Sequence, residues 1–377
     1  MDLVDLPSVG VEEEFLLVDP ESGIPVPVAA DVLDKARSSA PCSSEASEWE
    51  LQAEVSLAQV ETATPVCRSP EEVADHLRCS RRSLTAAAAA NGVILAPVGA
   101  APFGRPDATI TPKKRYLAIL HEVPALLEEQ LVNGMHVHVQ VPSRAAGVDV
   151  MNRLRPRLHL LLALTANSPL WHGRDTGFAS WRSVHSQRWP VEGPPPYCHD
   201  EADHERRVQS LLATGVIMDR GMIYWHVRIS ERYPTVEVRA ADVAIDVETA
   251  ATYAGLVRAI VVHALREGAA GIPAPNVDPE LLRAASWQAA RHGLGGDLLD
   301  LRRPSAAQPR MVPAGQAIRQ LVTDVCWVLP PAEERAVLTG VEVILASGGG
   351  AARQREALAS AGRAGLLGLL AQCSDPS

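Results

Sequence analysis

Residues 134–142, GMHVHVQVP, alternate strictly: Met135, Val137, Val139 and Val141 are apolar, while His136, His138 and Gln140 are polar. Gly134 and Pro142 bound the run. A period of two is the mark of a half-buried β-strand, because successive side chains leave opposite faces of an extended chain. The segment therefore commits the fold to a sheet with one apolar and one polar face. Its polar face is unusual. Water-facing strands mostly carry Thr, Lys or Glu, so two histidines and a glutamine there are either incidental or look into a site.

Three further segments repeat the pattern with acids. In Val9–Val18 (VGVEEEFLLV), Glu12 and Glu14 share one face, and Val11, Glu13 and Phe15 share the other. Two carboxylates one strand step apart lie about 7 Å apart at the backbone, close enough for both to reach one ion or two adjacent ions. Glu50, Gln52 and Glu54 share a face in a second segment, and Glu61 follows shortly before the turn at TATP. In TVEVR, Thr235, Glu237 and Arg239 oppose Val236 and Val238. A solvated acidic face, or a plain ion pair in the last segment, explains each cluster taken alone. Together they bring five carboxylates and two imidazoles to polar strand faces. Carboxylates gathered in one cavity repel and stay protonated unless cations neutralise them. Oxygen-rich surroundings with few imidazoles favour Mg²⁺ or Mn²⁺ over Zn²⁺.

Composition removes other classes. A formal net charge of −10 and 4% aromatic residues argue against nucleic acid as a partner. No apolar run is long enough to span a membrane, and the acidic start MDLVDLPSVG is not a secretory signal. The six cysteines are scattered without a CxxC pair, which suggests free thiols in a cytoplasmic protein. There is no GxxxxGK[ST] and no GxGxxG after a strand, so a bound nucleotide would be gripped by carboxylate-held metal and by arginines. Arg174, Arg182, Arg228 and Arg239 are candidates, since guanidinium matches phosphate and carboxylate geometry.

Along the chain, Pro70 opens a long helix that Asn91-Gly92 closes, and Val93 to Val98 reads as a buried strand. A helix containing Pro124 leads into the histidine strand, and the pattern from Arg144 to Asn167 is helical. Ser168 to Pro196 reads as a long functional loop, and Met222 to Ile229 and Thr235 to Arg239 as strands. Amphipathic helices follow from about Asp246, with surface loops near Ala306 and Gly348. The expected architecture is α+β: one mostly antiparallel sheet with helices on one side. A single domain over 1–377 would be sheet-rich over about 9–245 and helical beyond.

GVEEEF, the Glu54/Glu61 pair running into TATP, GMHVHVQVP, NSPLWHGRDTGFASWR and WHVRISERYPTVEVRAADV occur in this order, with WQAARHGL later. This series resembles the glutamate–cysteine ligase type 2 family, carboxylate–amine ligases of the glutamine synthetase-like superfamily. The resemblance implies a six-stranded, largely antiparallel sheet forming a funnel, helices on its outer side, and metals at its narrow part. It implies Glu12, Glu61 and His136 as metal ligands, with Glu14, Glu54 and Glu237 completing two or three Mg²⁺ sites. Arg239 and His138 would contact the ATP phosphates, with Arg228 beside them. Arg239, Glu61 and His138 form the catalytic set, and Arg182 and Arg174 would hold a substrate carboxylate. The implied reaction is ATP-dependent amide formation (EC 6.3.2.-), γ-glutamyl in type, between a glutamate-like donor and an amine through an acyl phosphate. Weak glutamate–cysteine ligase activity belongs to the same expectation. Related ligases suggest a homodimer. Two alternatives stand beside this reading: a metal-dependent amidohydrolase, since HxH on a strand also begins such sites, and a non-catalytic binding member of the fold.

Overall fold

The computed structural model describes residues 6–38, 50–104, 109–302 and 310–374. Trp49, Cys42 and the expected loop near Ala306 lie outside the described residues. The main sheet contains β1 (Val9–Val18), β2 (Glu50–Ala53), β3 (Gln59–Ala63), β4 (Ile94–Ala96) and β5 (Gly134–Gln140). After a two-stranded hairpin of β6 (Leu170–Trp171) and β7 (Arg174–Asp175), β8 (Val227–Ile229) and β9 (Thr235–Asp242) complete it. Six strands follow one hydrogen-bonded path, β2-β3-β1-β5-β9-β8, and β4 pairs with the end of β1. All pairings are antiparallel. The expected six strands are therefore seven, because three residues of VILAPV find a free stretch of β1 beyond the end of β5. The sheet is open, with β2 and β8 at its edges.

The apolar faces of β1, β5 and β9 bury Val9, Val11, Met135, Val137, Val139, Val236 and Val238. Against them pack α2 (Pro70–Ala89), α5 (Arg144–Leu154) and α9 (Val247–Ala269). The preceding α1 (Ala29–Ser38) lies beside α2, and α3 (Lys114–Glu122) and α4 (Pro124–Glu128) precede β5. Ser69 caps α2 through Glu72 N, with Pro70 in the first turn, as its sequence predicts. Pro124 splits the expected helix before β5 into α3 and α4 at Val123. Pro156 likewise separates α5 from α6 (Leu158–Thr165) by a 3₁₀ turn.

The stretch expected as one long loop from Ser168 is partly regular. It turns at His172 and Gly173, both at positive φ, to make the β6–β7 hairpin, and Ser180 then caps α7 (Trp181–Ser186). Next comes α8 (Glu201–Ala213), and a 3₁₀ turn at Arg220–Met222 delays β8 to Val227. The last third is not purely helical either. Between α10 (Pro279–His292) and α11 (Ala314–Val325), β10 (Asp297–Asp300) and β11 (Arg310–Pro313) form a hairpin, before α12 (Pro331–Ser347) and α13 (Gly349–Ser374). Cys67, Cys198, Cys326 and Cys373 are free thiols as expected, but Cys79 on α2 is disulfide-bonded. Cysteine proximity is a tertiary property that scattered spacing does not reveal. Among the described residues no helix is long and apolar enough to cross a membrane.

One polar group sits on the apolar face of β1. Glu13 and Arg81 of α2 are both fully buried, and Arg81 donates two hydrogen bonds to Glu13, at 2.9 Å from Nε and 2.5 Å from Nη2. Arg81 also donates to the carbonyls of Ala244 and Ile245. A carboxylate that faces a helix layer is thus paired, with its partner's remaining donors satisfied.

Candidate functional site

Antiparallel register turns the alternation of single strands into one shared surface. Glu12 stands opposite His136, Gly10 opposite His138, and Glu14 opposite Glu61. Further out, Glu61 faces Gln52, His138 faces Glu237, and Glu237 faces Arg228. Directly opposed residues project from the same face, so the polar side chains of six strands converge on the side away from α2, α5 and α9. Between Met135 and Val137 the β5–β9 register slips. This bulge at His136 brings Arg239 Nη1 to 3.3 Å from His136 Nδ1.

Two clusters of three donors result. Glu12, His138 and Glu237 form one, and Glu14, Glu54 and Glu61 the other; within each, one ligand atom per residue lies within 4.8 Å of the rest. In the first, Glu12 Oε2 is 2.9 Å from His136 Nδ1, and Glu12 Oε1 is 3.3 Å from His138 Nε2. Arg228 donates to both oxygens of Glu237, at 2.7 and 3.1 Å, and Arg239 also donates to it. Burial works to raise both carboxyls, but the histidines around Glu12 and the arginines around Glu237 outweigh it and hold them well below the usual range.

The second cluster is under-compensated. Burial and the charge of Glu54 push Glu14 up to about 7, although the Gly134 N–H and Arg182 oppose them. Burial, then Glu54, with Glu12 and Glu14 adding to it, push Glu61 well above the ordinary range. Gln52 donates to Glu61 at 3.2 Å, which supplies no charge. His136 lies between the clusters, with Nε2 3.8 Å from Glu14 Oε1; burial, then Arg239, lowers it to about 4, so its ring is neutral at pH 7. A cluster of three carboxylates that must otherwise take up protons suits a divalent cation.

Two cavities meet over this surface. The larger, about 1250 Å³, is bordered by Glu12, Glu54, Glu61, His138, Arg228 and Glu237. The smaller, about 180 Å³, is bordered by Glu14, Glu54, His136, Arg182, Glu192 and Arg239. Glu54, Arg115, Tyr116 and Gly221 border both and form the seam. Arg182 starts from α7 and crosses β5 so closely that a Cβ on Gly134 would lie 2.4 Å from its Nη2. The glycine of GMHVH is therefore the space that admits Arg182. Asp242, at the end of β9, fixes that region by accepting from Ser168 Oγ at 2.7 Å, Ser180 Oγ at 2.8 Å and Asn167 N at 2.8 Å.

The fold brings Glu12, Glu14, Glu54, Glu61, His136, His138, Arg182, Arg228, Glu237 and Arg239 to these two cavities. Arg174 is not brought there: it is exposed on β7 and borders neither. Its place on a two-residue strand turned to solvent, which the loop expectation did not foresee, carries it away. Arg228 reaches the wall but is committed to Glu237 and to the carbonyls of Gly221 and Ile223. Sequence reasoning passed over Arg115 and Tyr116 at the seam, and Tyr224 and Glu192 beside the smaller cavity, Glu192 lying 3.2 Å from His226 Nε2. Loops and helix ends deliver these residues, and they have no periodic signal. The antiparallel sheet also removes the amidohydrolase alternative, whose strands would be parallel and alternate with helices.

The model of glutamate–cysteine ligase family 2 matches residues 8–369. A relative from Rhodopirellula baltica, whose name of glutamate–cysteine ligase 2 is itself provisional, is 41% identical over 352 residues, covering 93% of each chain. The structure is similar to a crystal structure of a Francisella tularensis glutamate–cysteine ligase in complex with AMP. The TM-score is 0.67 at 13% identity, over 98% of this chain and 88% of that one. A bifunctional glutathione synthetase from Pasteurella multocida also gives 0.67, at 16% identity, over 98% of this chain and 52% of that one.

Proposed function

The chain belongs to glutamate–cysteine ligase family 2, and from that premise we propose an ATP-dependent carboxylate–amine ligase. It would join the γ-carboxylate of a glutamate-like donor to an amine through an acyl phosphate. The observation that carries this reading is the pair of three-donor clusters where a nucleotide-sized cavity meets a small, arginine-lined one.

Glu12, His138 and Glu237 would hold one divalent cation and Glu14, Glu54 and Glu61 another, with His136 between them. The residues fit: the donors are mostly oxygen, and Arg182 and Arg239 nearby do not offset burial and mutual repulsion in the second cluster, where Glu14 and Glu61 are both raised. Such ions would supply charge neutralisation for the transferring phosphoryl group.

The rest falls to the chain. ATP occupies the larger cavity, with its phosphates at the seam. Arg239, held by Glu237 and His136, presents a fixed guanidinium to the negative charge that builds as a donor carboxylate oxygen attacks the γ-phosphorus and ADP leaves. Arg182 orients the donor in the small cavity through a carboxylate, the two being matched in geometry. The amine nitrogen then attacks the acyl carbon, and phosphate departs with the electrons of the C–O bond. His136 stays neutral in this setting and holds Glu12 rather than adding charge.

Purified protein given ATP, Mg²⁺, glutamate and a panel of amino acids and amines tests this, with products read by mass spectrometry. ADP and an amide adduct should appear only when donor and amine are both present. ADP formation that ignores the donor, or none with any amine, would overturn the reading.

A further inference from the structure

One carboxylate on the wall of the smaller cavity belongs to neither three-donor cluster. Of the three that border it, Glu14 and Glu54 are members of the second cluster, and Glu192 stands apart. Glu192 lies between α7 and α8, and the chain is fixed there. His226 N donates to the Gly193 carbonyl at 2.8 Å, and Gly193 forms a parallel bridge with Trp225.

Register places this carboxylate beside the reacting groups. Arg239 N donates to the His226 carbonyl at 2.8 Å, one step beyond the Val227–Val238 pair, so His226 and Arg239 stand opposite each other. Opposed side chains share a face, and neighbouring strands lie about 4.8 Å apart. A single row therefore crosses the polar face: Glu12, His136, Arg239, His226 and, beyond the edge of the sheet, Glu192. Arg239 is the guanidinium set at the transferring phosphoryl group, so the row ends beside the place where the acyl phosphate forms.

One oxygen of Glu192 is uncommitted and open. His226 Nε2 is 3.2 Å from Oε1. His226 Nδ1 is buried without a partner, so the ring carries its proton on Nε2 and donates it to Glu192. Oε2 has no hydrogen-bond partner among the described residues and keeps accessible surface, the side chain being 12% exposed. Among the described residues, no arginine or lysine pairs with Glu192. Trp189 and Tyr224, packed edge to face with ring centroids 5.5 Å apart, border the same cavity. A carboxylate oxygen without a cation, beside aromatic rings, suits an ammonium group.

In amide formation the acceptor brings an ammonium that needs a partner and a proton that needs an acceptor. Most amines are charged at pH 7, and a nitrogen without a lone pair cannot attack. We propose that Glu192 is the base of the amide-forming step, receiving the acceptor ammonium in the small cavity and removing one proton. That proton passes to Oε2, and the N–H electron pair becomes the lone pair that forms the C–N bond. The C–O electrons leave with phosphate, which takes the second proton from nitrogen. Glu192 releases its proton to water before the next turnover. The role rests on the ligase reading and adds the residue that handles the acceptor.

Two small amines test it at pH 7 with ATP, Mg²⁺ and glutamate: methylamine, an ammonium at that pH, and hydroxylamine, which is already uncharged. The parent should make an amide from both. Glu192→Gln still accepts from His226 but no longer takes a proton. Its turnover with methylamine should fall at least about a hundredfold, and with hydroxylamine less than about fivefold. Glu192→Asp should retain part of the methylamine rate and still lose more with methylamine than with hydroxylamine, which carries the comparison if the glutamine variant fails to fold. Equal losses with both amines would overturn the proposal, as would no loss with either. A glutamate KM raised with both amines would mean that Glu192 holds the donor's ammonium, and overturns it too. A parent that rejects both amines but uses another from the panel defeats this proposal alone; no amide from any amine defeats the ligase reading as well.

Discussion

Glu12, Glu13 and Glu14 are adjacent in the chain, yet the two faces of β1 treat them in opposite ways. On the helix side, Glu13 is enclosed and fully matched by Arg81, whose remaining donors reach backbone carbonyls. On the cavity side, Glu14 joins Glu54 and Glu61 in a cluster with too little positive charge, and burial raises it toward neutrality. Glu12 is intermediate, held well below the usual carboxylate range by His136 and His138 rather than by an arginine. A matched buried carboxylate is an element of structure; an unmatched one beside a cavity keeps its electrostatic cost, which protons or a cation can relieve.

Substitutions break this contrast in order of size. Arg81→Met should cost about 3–5 kcal/mol by leaving Glu13 charged and unpaired, measured by urea unfolding. A second change, Glu13→Gln, should restore part of that loss; if it restores none, the pair is not what makes Arg81 matter. Glu61→Gln should do the reverse: fold normally, melt no lower than the parent without divalent ions, and lose Mg²⁺-dependent nucleotide affinity by about a hundredfold. Unchanged affinity would remove Glu61 from the site.

Acidity separates the faces next. Glu14 rises from an ordinary 4.5 to about 7 in the folded chain, burial being the main cause. Between those values the folded state holds more protons than the unfolded one, so with chelator present stability should fall as pH rises through that window. The melting temperature gained on adding Mg²⁺ should accordingly be larger at pH 8 than at pH 5, and a gain independent of pH would contradict the cluster's protonation. Gly134→Ala should displace Arg182 and raise the donor's KM about tenfold, with a smaller change in melting temperature than Arg81→Met. Arg174→Ala, smallest of all, should alter activity by less than about twofold, since it borders no cavity. A large loss there would mean that the β6–β7 hairpin reaches the substrate after all.

Strands were the most legible part of the molecule. Period-two alternation located β1, β5 and β9 and placed Glu12, His136, His138, Glu237 and Arg239 on one face of each. The short elements were not legible: β6, β7, β10 and β11 span two to four residues, too few for a period to emerge. Arg182 was a candidate by residue type alone, and its substrate role came from the family resemblance, since no spacing on α7 points it at β5. Glu13 read as one more acid on an apolar face, and nothing in its neighbourhood named Arg81, which is 68 positions away.

The chain by itself determined which side chains share a strand face, because an extended backbone alternates whatever surrounds it. It also determined, through the carboxylates it places there, that the face would favour hard cations. Register and packing belonged to the tertiary structure. They decided that Glu14 meets Glu61 and His138 meets Glu237, that a bulge brings Arg239 to His136, and that Arg81 rather than water neutralises Glu13. The reason is physical: alternation is local, whereas the energy of a charge depends on which partners and how much water lie within a few ångströms, and long-range folding alone sets both.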